Sequence, residues 1–210
     1  MKGGILLKKY ITVIPMQNPN NLKKDVYESD NELLRTDFAT CFPVLIPMYN
    51  DVQDGETVTL VEVIIDGHDF VAKNKVSFDK DLTELKQRKN ITVIEKLIHI
   101  KFSEDLDNQL DLLMGLIDAA EENDIITADI TYGSKAMPII IRSALAYISE
   151  NVVGADIDKI VYGSLNFTSG KMFIYDVSAL FYLDKAIESM SRTNVKDPKA
   201  ALISIIDMGR

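Results

Sequence analysis

Between Thr57 and Ile65 the chain reads T-V-T-L-V-E-V-I-I, an almost unbroken apolar stretch rich in β-branched side chains. A strand with so little polar alternation must be covered on both faces, as in the middle of a parallel sheet flanked by helices. The rest of the chain supplies matching parts. Tyr10–Met16 (Y-I-T-V-I-P-M) reads as a first strand, ended by Pro15 and by the polar turn stretch Gln17–Lys24, Q-N-P-N-N-L-K-K. Phe38–Tyr49 is apolar but holds Pro43 and Pro47, so a short or kinked helix is expected there. Asp66-Gly67-His68-Asp69 should turn the chain, Phe78–Lys89 should be helical, and Ile91–Phe102 should return as a strand.

The next helix is the plainest. Ser103 is placed to cap it, Glu104 and Asp105 fall in its first turn, and Leu106, Leu110, Leu113 and Ile117 share one face. Ile125–Thr131 reads as a strand, and Met137–Ser149 as a helix with Ile140, Ile141, Ala144, Leu145 and Ile148 on its inner stripe. Lys159–Leu165 and Lys171–Val177 are two more strands, joined by a stretch, Asn166–Gly170, short enough for a hairpin. A helix from about Ser178 to Met190 closes the expected domain, 1–190, and 191–210 follows as a tail with a short helix at Ala200–Ile206. This order gives an α/β fold: a Rossmann-like, mostly parallel sheet with helices on both faces and a C-terminal antiparallel hairpin. Such sheets bind ligands beyond the carboxyl ends of their strands, which draws attention to the loops Gln17–Lys24, Thr131–Pro138 and Gly163–Gly170.

A net charge of −9, with no basic run, disfavours long nucleic acid as a partner, because such binding draws on many Lys and Arg contacts to phosphate. One cysteine, Cys41, allows no internal disulfide and suits a reducing compartment; its apolar surroundings suggest a buried thiol. No secretory leader pattern opens the chain, and apolar runs such as Ile139–Ile141 fall far short of the roughly 20 residues a membrane helix needs. A soluble cytoplasmic protein with no membrane partner is the expectation. Neither an HExxH pattern, nor paired Cys ligands, nor a Walker loop occurs, so no metal site and no cofactor is expected. His68, in a turn, and His99, in a strand, read as structural, and the acidic clusters Glu104–Asp111 and Glu121–Asp124 as solvated helix ends.

The segment richest in chemistry is D-I-T-Y-G-S-K-A-M-P, Asp129 to Pro138. Gly133 permits a sharp turn or close ligand approach, Ser134 can cap, Lys135 adds a cation, and Pro138 fits a helix's first turn. Free N–H groups, a hydroxyl and a positive charge at one point make an anion site. A capped helix that happens to carry a lysine explains the same spacing.

D-I-T-Y-G followed by S-K-A-M-P resembles the Asp-x-Thr-His-Gly motif of CRISPR-associated proteins that carry a Rossmann-like CARF domain. Ile160-Val161-Tyr162-Gly163 is similar to the family's following strand, which ends in Tyr-Gly, and Ile174-Tyr175-Asp176-Val177 to the one after it. The resemblance spans about Lys8 to Met190, carried in the first third by element order more than by residues. Two positions depart from the pattern: Tyr132 stands where the family usually has His, and Ser134-Lys135 replaces a common aromatic-Arg pair. The resemblance implies a homodimer that binds a cyclic oligoadenylate, of four or six units, across its two-fold axis as part of type III CRISPR antiviral defence. It places Thr131, Tyr132, Gly133, Ser134 and Lys135 at the ligand, with Gln17, Asn18 and Asn20 toward adenine or ribose and Gly163 and Asn166 at the border of the mouth. Asp129 would hold the turn in shape instead of touching an anion. The family's nuclease motif of Arg and His is missing: Arg35 and Arg88 stand at the wrong distances from His68 and His99. A stand-alone sensor, working with a separate effector protein, is then the leading expectation. The alternative is a metal-independent ring nuclease, in which Lys135, Ser134 and Thr131 would promote attack by the ligand's own 2′-OH. A transcriptional or adaptor role finds no helix-turn-helix or basic recognition helix to support it.

Overall fold

Six strands form one sheet in the order β3-β2-β1-β4-β5-β6, all parallel except the last pair, β5 and β6. They are β1 (Leu7–Val13), β2 (Thr57–Asp66), β3 (Thr92–Lys101), β4 (Asp124–Asp129), β5 (Asp156–Leu165) and β6 (Met172–Asp176). The computed structural model describes residues 7–193 and 195–208 and falls into two units, one ending at Asp176 and one beginning at Val177. Four helices belong to the first: α1 (Leu45–Asp51), α2 (Asp69–Lys89), α3 (Leu106–Asp118) and α4 (Met137–Asn151). Right-handed crossovers put α1 and α2 on one face and α3 and α4 on the other. The second unit contains α5 (Ser178–Arg192) and α6 (Pro198–Met208). Among the described residues no helix is long and apolar enough to cross a membrane.

The continuous apolar pattern of β2 has the cause inferred from it: Val58, Leu60, Val61 and Val63 are all buried, with β1 and β3 hydrogen-bonded on either side. Several expected elements end elsewhere. The helix expected from Phe78 starts at Asp69, because His68 caps it, its Nδ1 accepting from the Phe70 N–H at 3.3 Å. Only the end of Phe38–Tyr49 is helical. Pro43 lies just before α1, and Thr40 forms an isolated bridge with Asp25 instead of a helical turn. Asp105, not Ser103, caps α3, accepting from the Asn108 N–H at 2.9 Å. The buried stripe of that helix is Asn108, Leu112 and Leu116, while Leu106 and Leu110 are exposed. Asn108 sets this rotation: its amide exchanges hydrogen bonds of 2.9 Å with both the N–H and the carbonyl of Lys101 and donates to the Ser103 carbonyl at 2.7 Å.

The crossover from β1 to β2 does more than connect. It carries only short 3-10 turns at Pro19–Asn21 and Glu32–Leu34 before α1, yet Tyr27, Leu34, Phe38, Phe42 and Ile46 are all buried. Its middle reaches the free edge of β6, where the Glu28 N–H donates to Met172 O and the Glu28 carbonyl accepts from Ile174 N, both at 2.9 Å. The edge strand is thereby covered, as exposed edges generally must be. Tyr27, Leu34 and Ile46 then pack with Val161, Met172 and Ile174 in one apolar cluster beneath the carboxyl end of β5.

Candidate functional site

Strand order in the sheet reverses between β1 and β4, adjacent parallel strands from which the crossovers run opposite ways, and open α/β sheets place ligands at such a point. A cavity of about 560 Å³ opens there, lined by Gln17, Asn21, Leu22 and Lys23 after β1, Thr131 and Tyr132 after β4, and residues of β5, β6 and their hairpin. Its size is in the range of small-molecule sites.

Asp129 anchors the floor, the loop that presents Thr131 and Tyr132, without lining the cavity itself. It ends β4, is buried, and accepts from the Thr131 N–H at 2.9 Å, the Val44 N–H at 3.2 Å, the Thr12 hydroxyl at 3.2 Å and the Thr131 hydroxyl. Burial pushes its carboxyl up to about 6, against the opposing pull of those donors. Thr131 passes the constraint on, its Oγ1 accepting from the Gly163 N–H at 2.8 Å. The Thr131 hydroxyl therefore braces β4 against β5, with both its donor and an acceptor position in use. Tyr132 lines the cavity but turns inward: it is buried, and its hydroxyl donates to the Cys41 carbonyl at 2.6 Å. Tyr27 reaches the same carbonyl at 3.4 Å. A tyrosine where the resembled motif has histidine thus ties the loop to the β1–β2 crossover. Cys41 itself is half-buried, less enclosed than its apolar neighbours suggested, and desolvation pushes its thiol up to about 11.

Two glycines are required by geometry. Gly133 has φ 108°, and a Cβ there would sit 2.4 Å from the Met137 sulfur. Gly163 has ordinary dihedrals, but a Cβ would meet Pro43 at 2.5 Å. We expect Gly133→Ala to lower stability by about 2 kcal/mol, combining the left-handed backbone penalty with displacement of Met137. Urea unfolding measures it, and a loss under about 0.5 kcal/mol would show that the loop relaxes freely.

Beyond Gly133 the loop does not form the expected cap. Helix α4 begins at Met137 with Ala136 as its first flanking residue and no side-chain cap, so Ser134 contributes its carbonyl, accepting from Met137 N at 3.1 Å. The N–H groups of Gly133, Ser134, Lys135 and Ala136 have no protein partner among the described residues. Lys135 is exposed and forms no ion pair there. Neither Ser134 nor Lys135 lines the cavity; they stand on the same loop, outside it.

Of the other residues singled out, Gln17 and Gly163 line the cavity, while Asn18, Asn20 and Asn166 do not. Asn18 accepts from the Asn20 N–H at 3.0 Å and so caps the 3-10 turn, which presents Asn21 instead. The Gln17 backbone is fixed from below by buried Asn74, whose Nδ2 donates to Pro15 O at 2.7 Å and Gln17 O at 2.8 Å. Asn166 organises the hairpin turn, its Oδ1 accepting from the N–H groups of Thr168 and Ser169 at 3.0 Å. Lys23 closes one side, donating to Gly170 O at 2.5 Å and pairing with Asp25 at 2.6 Å. Ser164 and Phe167, inside the loop Gly163–Gly170 that the sequence singles out, line the cavity too, as do Tyr162 and Met172, which lie outside that loop. Among the described residues, no group of three or more His, Cys, Asp or Glu is arranged to hold a metal ion. No protein-family model matches the chain. No curated protein matches it at a significant level.

Proposed function

We propose that this protein binds a cyclic oligoadenylate, of four or six units, as a stand-alone cytoplasmic sensor in type III CRISPR defence, with two copies sharing one ligand. The observation that carries the reading is the cavity where the β1 and β4 loops meet, floored by the D-I-T-Y-G turn that resembles the CARF motif. Four free N–H groups and the unpaired Lys135 beside it suit a phosphate, while the −9 charge resides on the rest of the surface. Sensing is favoured over cleavage by Thr131, whose hydroxyl is held by Asp129 and Gly163, and by the position of Ser134 and Lys135 outside the cavity.

Calorimetric titration with cyclic tetra-adenylate and cyclic hexa-adenylate tests the proposal, with one ring expected per two chains. Lys135→Ala should weaken binding about tenfold, the effect of one charge-assisted contact to phosphate, and leave unfolding unchanged. Light scattering should find a dimer before ligand is added. A monomer that binds neither ring at 100 µM would end this reading, whereas linear products ending in 2′,3′-cyclic phosphate would replace the sensor by the ring nuclease.

A further inference from the structure

The hairpin between β5 and β6 holds an aromatic ring where folding gives it nothing to do. Phe167 is 92% exposed at the turn, yet the turn around it is tightly determined. Asn166 N donates to Lys171 O at 2.9 Å, Gly170 N to Asn166 O at 2.8 Å, and Asn166 Oδ1 accepts from the N–H groups of Thr168 and Ser169. Gly170 supplies the left-handed residue, φ 68°, and Lys23 ties its carbonyl to the opposite loop. Phe167 is therefore presented by a braced turn. Tyr162 lines the same cavity from β5, is 42% exposed, and its hydroxyl has no partner among the described residues. Across the ladder it faces Tyr175, whose ring stacks on Phe173 with centroids 6.2 Å apart and planes 12° apart. Gln17 and Asn21 line the same cavity, and neither carboxamide has a side-chain hydrogen bond among the described residues.

Two solvent-facing rings and two uncommitted carboxamides around one cavity form a recognisable complement. A planar heteroaromatic base has a face that stacks on Phe or Tyr and an edge that pairs with an amide. We propose that Tyr162 and Phe167 are the base-stacking contacts of this cavity and that Gln17 and Asn21 read the edge of the same base, so that the site takes a nucleotide by its base as well as by its phosphate. The inference deepens the proposed function and rests on the same cavity. It does not require the ligand to be cyclic, because stacking acts on each base singly.

The test uses the whole 210-residue chain with two sets of probes. In the first, cyclic tetra-adenylate is titrated into wild type, Phe167→Ala, Tyr162→Ala and the ring-preserving Phe167→Tyr and Tyr162→Phe. Each alanine variant should lose roughly tenfold to a hundredfold in affinity, and each ring-preserving variant should stay within about threefold of wild type. Phe167→Ala removes an exposed side chain, so its circular dichroism and melting should match wild type. The second set is adenosine, guanosine, cytidine and uridine 5′-monophosphates, with ribose 5-phosphate as the control that lacks a base. If wild type ignores the ring but holds a mononucleotide at least tenfold tighter than ribose 5-phosphate, and Phe167→Ala erases the difference, the cyclic-ligand reading falls and the stacking site stands. Alanine variants that bind the ring as wild type does would overturn the stacking assignment while leaving the sensor reading intact. Equal affinity for nucleotide and ribose 5-phosphate, or no binding of either set, would also overturn it.

Discussion

Lys9→Ala should cost about 3–5 kcal/mol of folding stability, as expected when one partner of a buried ion pair is removed. Lys9 and Asp124 are 1% and 0% exposed, with Nζ 2.5 Å from Oδ2. The same Nζ donates to the Ala119 carbonyl at 2.5 Å, at the carboxyl end of α3 where a cation also meets the helix dipole. Asp124 accepts in turn from the Glu121 N–H at 2.6 Å, and its other oxygen has no partner. Without the ammonium, a carboxylate that cannot reach water keeps a single hydrogen bond. One β1 residue thus joins β4 and α3 at the end of the sheet away from the cavity. Chemical denaturation of Lys9→Ala, Asp124→Asn and the double variant Lys9→Met/Asp124→Asn measures the effect. The double variant should be more stable than the sum of single losses implies, because it leaves no lone charge. A loss below about 1 kcal/mol for Lys9→Ala would mean that water reaches Asp124.

That pair was invisible in the sequence. Lys9 and Asp124 are 115 positions apart, and a charge beside a strand reads as solvated until the register is known. What could be read was whatever depends on local periodicity: the two-sided apolar run of β2, the alternation of strands and helices, and the hairpin after β5. Phase was harder to read. On α3 the sequence puts Leu106, Leu110, Leu113 and Ile117 on one apolar face, but the amide of Asn108 ties the helix to Lys101 and turns Leu112 and Leu116 inward. The site divided in the same way. Gly133 and Asp129 announce a constrained turn through their residue types, whereas the inward Tyr132 depends on where the long β1–β2 crossover puts the Cys41 carbonyl. The resemblance puts Asn18 and Asn20 toward adenine or ribose and Asn166 at the border of the mouth. Asn18 and Asn166 instead hydrogen-bond their own turns, and so expose Asn21 and Phe167.

Asp129→Ala should be the most damaging change in the cavity floor, lowering stability by about 3–5 kcal/mol by stranding the N–H groups of Val44 and Thr131 and the hydroxyl of Thr12. Asp129→Asn keeps one acceptor oxygen and carries the more informative prediction, which concerns pH. Because burial raises the folded carboxyl to about 6, the folded state holds a proton that the unfolded chain releases near 4. The stability this contributes is fully present below about pH 4 and lost as pH rises through about 6, a change of up to about 3 kcal/mol. Asparagine does not titrate. Its penalty relative to wild type should therefore be largest at pH 4 and shrink by up to that amount at pH 7.5. Glu62, buried on β2 and raised by desolvation to about 7, shifts stability in the same direction. Its Oε2 lies 3.0 Å from Lys75 Nζ without the angle of a hydrogen bond. It is present in both proteins, so the difference between them isolates Asp129. Urea titrations at four pH values supply that difference. A penalty that grows with pH would show that the four donors outweigh burial and that Asp129 braces the loop as a carboxylate. In that case acid would loosen the cavity floor, and ligand affinity would fall with stability below pH 5.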